Sequence, residues 1–312
     1  MQKATALKTR RPPLSLSLSW RPAGFDLFAL ATVLLTYGLI VLGGAVRATD
    51  SGTACPDWPL CHGQVLPRLE GHVLVEYSHR LVASIVGVLI FATAVWAWQR
   101  HRSDRLVGVA AASAVVLLVA QVLVGAVTVN TETEASVVAL HLSIALTLFA
   151  SLIVLTIASA RNMAARGHFP LLPAVVAGGA FALIISGAYV SQEGAGLVYP
   201  DWPLFDGKLV SSGGRLADLH YAHRLLAGLL GVLVLALAFR TRSERRPAVV
   251  AAVALAVVLY VAQVLVGAAN IWFELATSLR ISHLALASAL WGVLVFAAAW
   301  SYLRPDTGQE PP

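Results

Sequence analysis

Eight long apolar stretches recur along this chain and limit its fold more than any other feature. Each reaches roughly the 20 residues that a helix needs to cross the hydrocarbon core of a bilayer. With 58% hydrophobic and 12% charged residues, the chain cannot be an ordinary soluble domain. We therefore predict an all-α integral membrane protein. Its eight transmembrane helices are expected at 24–46, 77–98, 107–129, 138–160, 170–191, 221–239, 247–269 and 281–302.

Basic residues are distributed unevenly over the two sides that these helices define. Most of the 22 Lys and Arg residues fall in the N-terminal tail, in alternate connections and near the C-terminus. Cytoplasmic loops carry the excess of Lys and Arg in membrane proteins, so both termini are predicted to be cytoplasmic. The longer connections at 47–76 and 192–220 then lie outside, where disulfides persist. The same distribution accounts for the net charge of +6 without a nucleic-acid partner.

The sequence repeats itself at a nearly constant offset. VLGGAVRATDSGTACPDWPLCHG (41–63) aligns without gaps with ISGAYVSQEGAGLVYPDWPLFDG (185–207), and AQVLVGA occurs at 120–126 and 262–268. Each copy has an even number of helices, so both copies enter the bilayer in the same direction, as parallel repeats do. We predict two tandem four-helix bundles. The predicted segments are a tail at 1–23, an N-terminal bundle at 24–160, a linker at 161–170, a C-terminal bundle at 171–304 and a tail at 305–312.

Five of the nine histidines lie at the outer ends of predicted helices, and they are His79, His141, His220, His223 and His283. Ionisable residues that enter a membrane segment are costly and are functional candidates by default. Within each bundle, histidines on the second and fourth helices lie at one depth, as an axial pair for a haem iron requires. Zinc is disfavoured, because neither half offers the cysteines or carboxylates that would complete four ligands.

The second helices of the two bundles begin alike but differ at one position. EYSHRLVASIVGVL (76–89) aligns with HYAHRLLAGLLGVL (220–233), so Glu76 corresponds to His220. Residues three apart share a helix face, which places Glu76 beside His79. A carboxylate near a haem edge can move protons or stabilise a developing cation, and this favours a catalytic N-terminal pocket and a fixed redox cofactor in the other. The alternative is a helix-start acid favoured by the helix dipole.

Several other repeated residues accompany the histidines. Arg80 and Arg224 could pair with haem propionates as forked partners or extend to lipid headgroups. Gln121 and Gln263 are predicted to form hydrogen bonds between helices. Small residues either let helices approach closely or make room for a porphyrin face. These small-residue pairs are Gly43-Gly44, Gly125-Ala126 and Gly267-Ala268.

The chain resembles the haem A synthase family, membrane enzymes that oxidise the C8 methyl group of haem O to the formyl group of haem A. The resemblance spans essentially all eight helices. It is carried by EYSHR at 76–80, HYAHR at 220–224, His141, His283, Cys55 and Cys61.

This resemblance implies a role for each half. His79 and His141 would hold the substrate haem O, with Glu76 acting in catalysis. His223 and His283 would ligate a resident haem B. The family proceeds by successive hydroxylations, after which a geminal diol loses water, and its product serves terminal oxidase biogenesis.

The only two cysteines bracket the first PDWPL motif. A single disulfide between Cys55 and Cys61 is the simple interpretation. The aligned Tyr199 and Phe205 indicate that the second PDWPL loop manages without one, and the resemblance suggests redox chemistry or haem transfer for the pair. Bacterial members often carry a second cysteine pair in the later loop, which this chain lacks. The aspartate of each PDWPL is predicted to form a turn.

Two other function classes stay open at this stage. A diheme b-type membrane cytochrome that carries electrons would need the same four histidines but leaves Glu76 unexplained. A transporter would show broken helices and polar residues near the midplane of the bilayer. For the enzyme we expect a multi-pass protein of the cell membrane with haem sites near the outer face. Its expected partners are haem O, an electron donor, a haem O synthase, the lipid bilayer and further copies in a homo-oligomer.

Overall fold

A computed structural model describes residues 24–159, 165–166, 170–211 and 213–304. The predicted tails at 1–23 and 305–312 and most of the predicted linker lie outside the described residues. The helices are α1 (Gly24–Ala48), α2 (Gly71–Arg100), α3 (Arg105–Asn130), α4 (Ala135–Ser159), α5 (Leu171–Gln192), α6 (Arg215–Thr241), α7 (Pro247–Trp272) and α8 (Thr277–Tyr302). All eight are long and apolar enough to cross a membrane, so the predicted all-α membrane fold is confirmed.

Two helices begin earlier than their apolar stretches predict. α2 starts at Gly71 instead of 77, and α6 starts at Arg215 instead of 221. The added turns pack under connecting loops, and they bury Glu76 and His220, which are 4% and 5% exposed. The apolar run marks only part of each helix, so these two predicted boundaries were wrong. His79 and His223 consequently lie about two turns inside their helices.

Each set of four consecutive helices closes into a ring. In the first set α1 packs against α2 and α4, and α3 packs against the same two helices. In the second set α5 packs against α6 and α8, and α7 joins these two from the other side. The rings meet along α1 with α8, α4 with α5, and α4 with α8.

Polar contacts reinforce the apolar seam between the two rings. The Tyr37 hydroxyl donates to the Ala285 carbonyl at 3.1 Å, and Trp291 Nε1 donates to the Leu146 carbonyl at 3.3 Å. A continuous core cluster includes buried side chains from both rings. The two halves therefore share one hydrophobic core.

A short strand pair joins the ends of α4 and α8. β1 (Ala165–Arg166) pairs antiparallel with β2 (Leu303–Arg304). Two-residue strands leave no periodic signal in a sequence, which is why the all-α prediction did not include them. The pair places the connection between the rings beside the C-terminal end of α8.

Candidate functional site

Each ring brings the histidine of its second helix close to the histidine of its fourth helix. His79 and His141 are near enough for their charges to interact, and the same holds for His223 and His283. All four histidine side chains are partly shielded from solvent. The structure thus brings together the pairs that the sequence predicts, while iron ligation by them stays a prediction.

A glycine on the preceding helix faces each of the four histidine rings. The glycine–histidine pairs, with the distance from an added glycine Cβ to the histidine Cε1, are Gly43–His79 (3.1 Å), Gly125–His141 (3.1 Å), Gly187–His223 (3.0 Å) and Gly267–His283 (3.1 Å). Contacts this short are tighter than normal packing allows, so a larger residue would displace the ring. The repeated glycines let the imidazoles stand against a helix backbone. Sequence reasoning missed Gly187, although its alignment with Gly43 could have revealed it.

Gly187→Ala is expected to push His223 aside and to lower the haem content of the purified protein. We expect a loss of about tenfold or more, the scale on which a disturbed ligand shell weakens metal binding. Gly178→Ala is the matched control on the same helix, since an added Cβ there meets nothing within 4 Å. The pyridine haemochrome assay gives the haem-to-protein ratio. Equal ratios for the two variants would contradict the assignment of His223 as a haem ligand.

The fourth-helix histidines also contact the predicted glutamines. Gln121 Nε2 lies 3.1 Å from His141 Nε2, and Gln263 Nε2 lies 3.2 Å from His283 Nε2. These contacts join α3 to α4 and α7 to α8, so the predicted hydrogen bonds between helices are confirmed. Each amide occupies the side of Nε2 where a metal would bind, and it must turn away for that nitrogen to ligate iron.

The two PDWPL loops fold into the same hairpin. Asp57 accepts backbone N–H groups from 62–63 at 2.6 and 2.8 Å, and Asp201 accepts those of 206–207 at 2.8 Å each. These backbone N–H groups lower the pKa of both aspartates, and the glycine amide has the largest effect in each loop. Because a lowered pKa favours the charged form, the loops keep these bonds at neutral pH and lose them as the pH falls through the lowered values. The predicted turn role is confirmed.

An arginine on the second helix of each ring binds the backbone of its hairpin. Arg80 Nη1 donates to the carbonyls of Asp57 (2.8 Å) and Leu60 (2.9 Å), and Nη2 donates to that of Cys55 (2.9 Å). The matching acceptors of Arg224 are the carbonyls of Asp201 (2.9 Å), Leu204 (2.8 Å) and Tyr199 (3.3 Å). Sequence reasoning missed this role because backbone carbonyls carry no sequence signal. Propionate pairing by the arginines stays a prediction.

The position that differs between the second helices carries different chemistry in each ring. Glu76 Oε1 lies 2.5 Å from Arg80 Nη2, and Oε2 accepts the Cys55 N–H at 2.8 Å. His220 Nε2 accepts instead from Arg224 Nε at 3.0 Å. The first turn of α2 contains no acidic residue, and dipole stabilisation fades beyond that turn. The helix-start interpretation of Glu76 is therefore wrong.

The two hairpins are closed by different side-chain pairs. Cys55 and Cys61 form the predicted disulfide, and both residues are fully buried. In the second hairpin, Tyr199 and Phe205 pack edge to face with ring centroids 5.1 Å apart. An aromatic pair thus takes the place of a covalent bond in the ring that has His220 at the position of Glu76.

The donor set fits a bis-histidine haem. Among the described residues, no group of three or more His, Cys, Asp or Glu side chains gathers as a metal site, but a haem requires only two axial ligands. The Nδ1 atoms of His79, His141 and His283 are buried and have no hydrogen-bond partner in the described part of the chain. Four imidazoles held against glycine backbones in two pairs match the two axial ligands that each haem requires.

Comparison with known proteins adds an independent finding. Residues 26–74 and 69–295 match the COX15-CtaA family, described as cytochrome oxidase assembly protein. A heme A synthase of Exiguobacterium sp. strain AT1b is 30% identical over 276 residues, which cover 85% of this chain and 89% of that protein. That of Alkalihalophilus pseudofirmus is 30% identical over 85% and 94% of the two chains. That of Symbiobacterium thermophilum is 31% identical over 87% and 93%.

Proposed function

Because this chain belongs to the COX15-CtaA family of cytochrome oxidase assembly proteins, we propose that it oxidises haem O to haem A for terminal oxidases. It is a multi-pass membrane protein and an enzyme of haem A formation. One observation carries the proposed chemistry: both rings pair two histidines, but the N-terminal ring has the buried Glu76 three residues before its second-helix histidine, where the C-terminal ring has His220. The relatives' names favour this function over a diheme electron carrier.

In the proposed N-terminal site, His79 and His141 hold haem O. Glu76, held by Arg80 and the Cys55 amide, exchanges protons with the site as the methyl group is oxidised. Two hydroxylations convert the methyl group first to a hydroxymethyl group and then to a geminal diol. Each hydroxylation consumes one dioxygen molecule, two electrons from the proposed donor and two protons, places one oxygen atom in a C–H bond and releases the other as water. The diol then loses water to leave the formyl group. A fixed carboxylate beside the substrate suits repeated proton transfer, because it needs no rearrangement between steps.

In the proposed C-terminal site, His223 and His283 hold a resident haem B. Haem B, when bound, supplies one-electron redox chemistry. At the position of the acid this half has His220, whose Nε2 accepts from Arg224. No carboxylate stands there, so the second site suits a fixed redox cofactor and not a site of methyl oxidation.

We propose that both haem sites lie near the outer face of the plasma membrane, with the termini in the cytoplasm. The distribution of Lys and Arg supports this orientation. The buried disulfide at the histidine end supports it as well, since disulfides persist outside the cytoplasm. An electron donor, a haem O synthase and further copies of the chain are the remaining proposed partners.

Unequal retention of the two haems tests this function. Purified protein loaded with haem O and haem B is mixed with apomyoglobin, and the loss of each haem is followed by its absorbance and by chromatography. A synthase should release the N-terminal haem quickly and keep haem B. Equal, slow release of both haems would instead favour the diheme electron carrier.

The role of the disulfide can be tested by introducing the aromatic pair of the second hairpin into the first. Cys55→Ser with Cys61→Ser removes a cross-link worth about 2–4 kcal/mol and loosens the Cys55 amide that holds Glu76. We expect this variant to load haem B but form haem A slowly. Cys55→Tyr with Cys61→Phe introduces the aromatic pair of the second hairpin and should restore most of the rate. If it stays as slow as the serine variant, the cysteines act by redox chemistry and the structural interpretation fails.

A further inference from the structure

Ser186 on α5 fixes the position of one proton on His223. Its Oγ lies 2.8 Å from His223 Nδ1 and 2.8 Å from the Leu183 carbonyl oxygen. A serine hydroxyl has a single proton, and a carbonyl can only accept, so that proton goes to Leu183. Ser186 Oγ must then accept a hydrogen bond from Nδ1–H of His223. The lone pair of this imidazole is left on Nε2.

The equivalent position in the N-terminal ring has no hydroxyl group. Leu42 aligns with Ser186, and His79 Nδ1 is buried without a hydrogen-bond partner among the described residues. The glycine contact is nearly the same in both rings, since Gly43 and Gly187 face their histidines at 3.1 and 3.0 Å. His79 and His223 therefore pack against glycine in the same way, but only the Nδ1 atom of His223 has a hydrogen-bonding partner among these residues.

The fourth helices do not share this difference. His141 and His283 each contact a glutamine through Nε2, and neither Nδ1 has a partner in the described part of the chain. Of the four paired histidines, His223 alone has its Nδ1 engaged within these residues. The two rings of helices thus differ in the Nδ1 hydrogen bonding of one side chain, His223.

We propose that Ser186 is a positioning residue that makes the C-terminal haem resident, and that Leu42 leaves the N-terminal haem exchangeable. This inference rests on the proposed function, because it takes His223 and His79 as haem ligands. A hydrogen bond from the second ring nitrogen fixes the tautomer and orientation of a ligating histidine and raises its basicity. Loss of such a partner costs about 10- to 100-fold in metal affinity. A resident cofactor needs that retention, whereas a substrate must leave once it has been oxidised.

Haem dissociation and redox potential test the proposal without any turnover. Ser186→Ala should release haem B to apomyoglobin about tenfold or more faster than the wild type and raise its midpoint potential, because a less basic ligand stabilises ferric iron less. Ser186→Thr restores the hydroxyl and should return both values toward those of the wild type. Ser151→Ala is the matched control, since Ser151 donates to the Thr147 carbonyl from another helix, away from the paired histidines.

The reciprocal variant supplies an independent result. Leu42→Ser should slow the release of haem from the N-terminal ring, and it decides the matter if Ser186→Ala does not fold. Wild-type dissociation and potential in Ser186→Ala, or unchanged N-terminal release in Leu42→Ser, would overturn the inference. A wild-type protein that binds haem but forms no haem A would count against the proposed function instead.

Discussion

Replacing Glu76 with glutamine should abolish haem A formation while leaving haem B bound. Glutamine keeps the size of the side chain and an oxygen for the Cys55 N–H, but it loses the charge that pairs with Arg80 and the capacity to exchange protons. Removal of a general acid–base typically costs about 10²- to 10⁴-fold in rate. The measurement is haem A formed per haem B, determined by chromatography of extracted haems.

A matched carboxylate separates this effect from a general loss of charge. Glu193 pairs with Arg215 at 2.7 Å, and it lies outside both proposed haem sites. Glu193→Gln should form haem A at the wild-type rate. If Glu76→Gln also does so with normal haem B content, then Glu76 is not the proton-exchanging group.

Replacing His283 with alanine should remove haem B from the protein and stop turnover with it. The substitution deletes one of two proposed axial ligands, and the Gly267 backbone beside it offers no replacement. The low-spin absorbance and electron paramagnetic resonance signals of a bis-histidine haem report the loss directly. His141→Ala should by contrast keep haem B and lose only the substrate haem.

His101 provides the control for His283. It lies at the C-terminal end of α2, far along that helix from His79. His101→Ala should keep the full bis-histidine signal. If His283→Ala keeps it too, the ligand of the resident haem lies elsewhere, and the assignment of the C-terminal site fails.

The two rings differ mainly around their second-helix histidines. The disulfide corresponds to an aromatic pair, Glu76 corresponds to His220, and Leu42 corresponds to Ser186. Around the fourth-helix histidines, the glycine and glutamine contacts are the same in both rings. If each ring binds a haem, the repeat has diverged on one side of each site while the other side stayed constant.

The apolar stretches predict the number and type of helices because a bilayer requires long apolar runs. They fail at the starts of α2 and α6, whose opening two turns pack under loops and contain polar residues such as Glu76 and His220. Hydropathy cannot distinguish a polar turn covered by a loop from the loop itself. For that reason hydropathy predicts His79 and His223 at helix ends, whereas they lie about two turns inside.

The helix pattern predicts the histidine pairs because histidines at one depth on the second and fourth helices of a bundle can face each other. It could not show what the arginines bind, since the acceptors of Arg80 and Arg224 are backbone carbonyls. The alignment shows that Leu42 corresponds to Ser186. The chemical effect of this difference depends on the 2.8 Å contact between Ser186 and His223. Which differences matter chemically is decided by distances that only the folded chain provides.

The most direct test is chromatography of the haems extracted from this protein after expression with and without a supply of haem O. The account predicts haem B under both conditions and haem A only when haem O is supplied, with haem A absent from Glu76→Gln. Two equivalents of haem B per chain under both conditions, with no haem A, would contradict it.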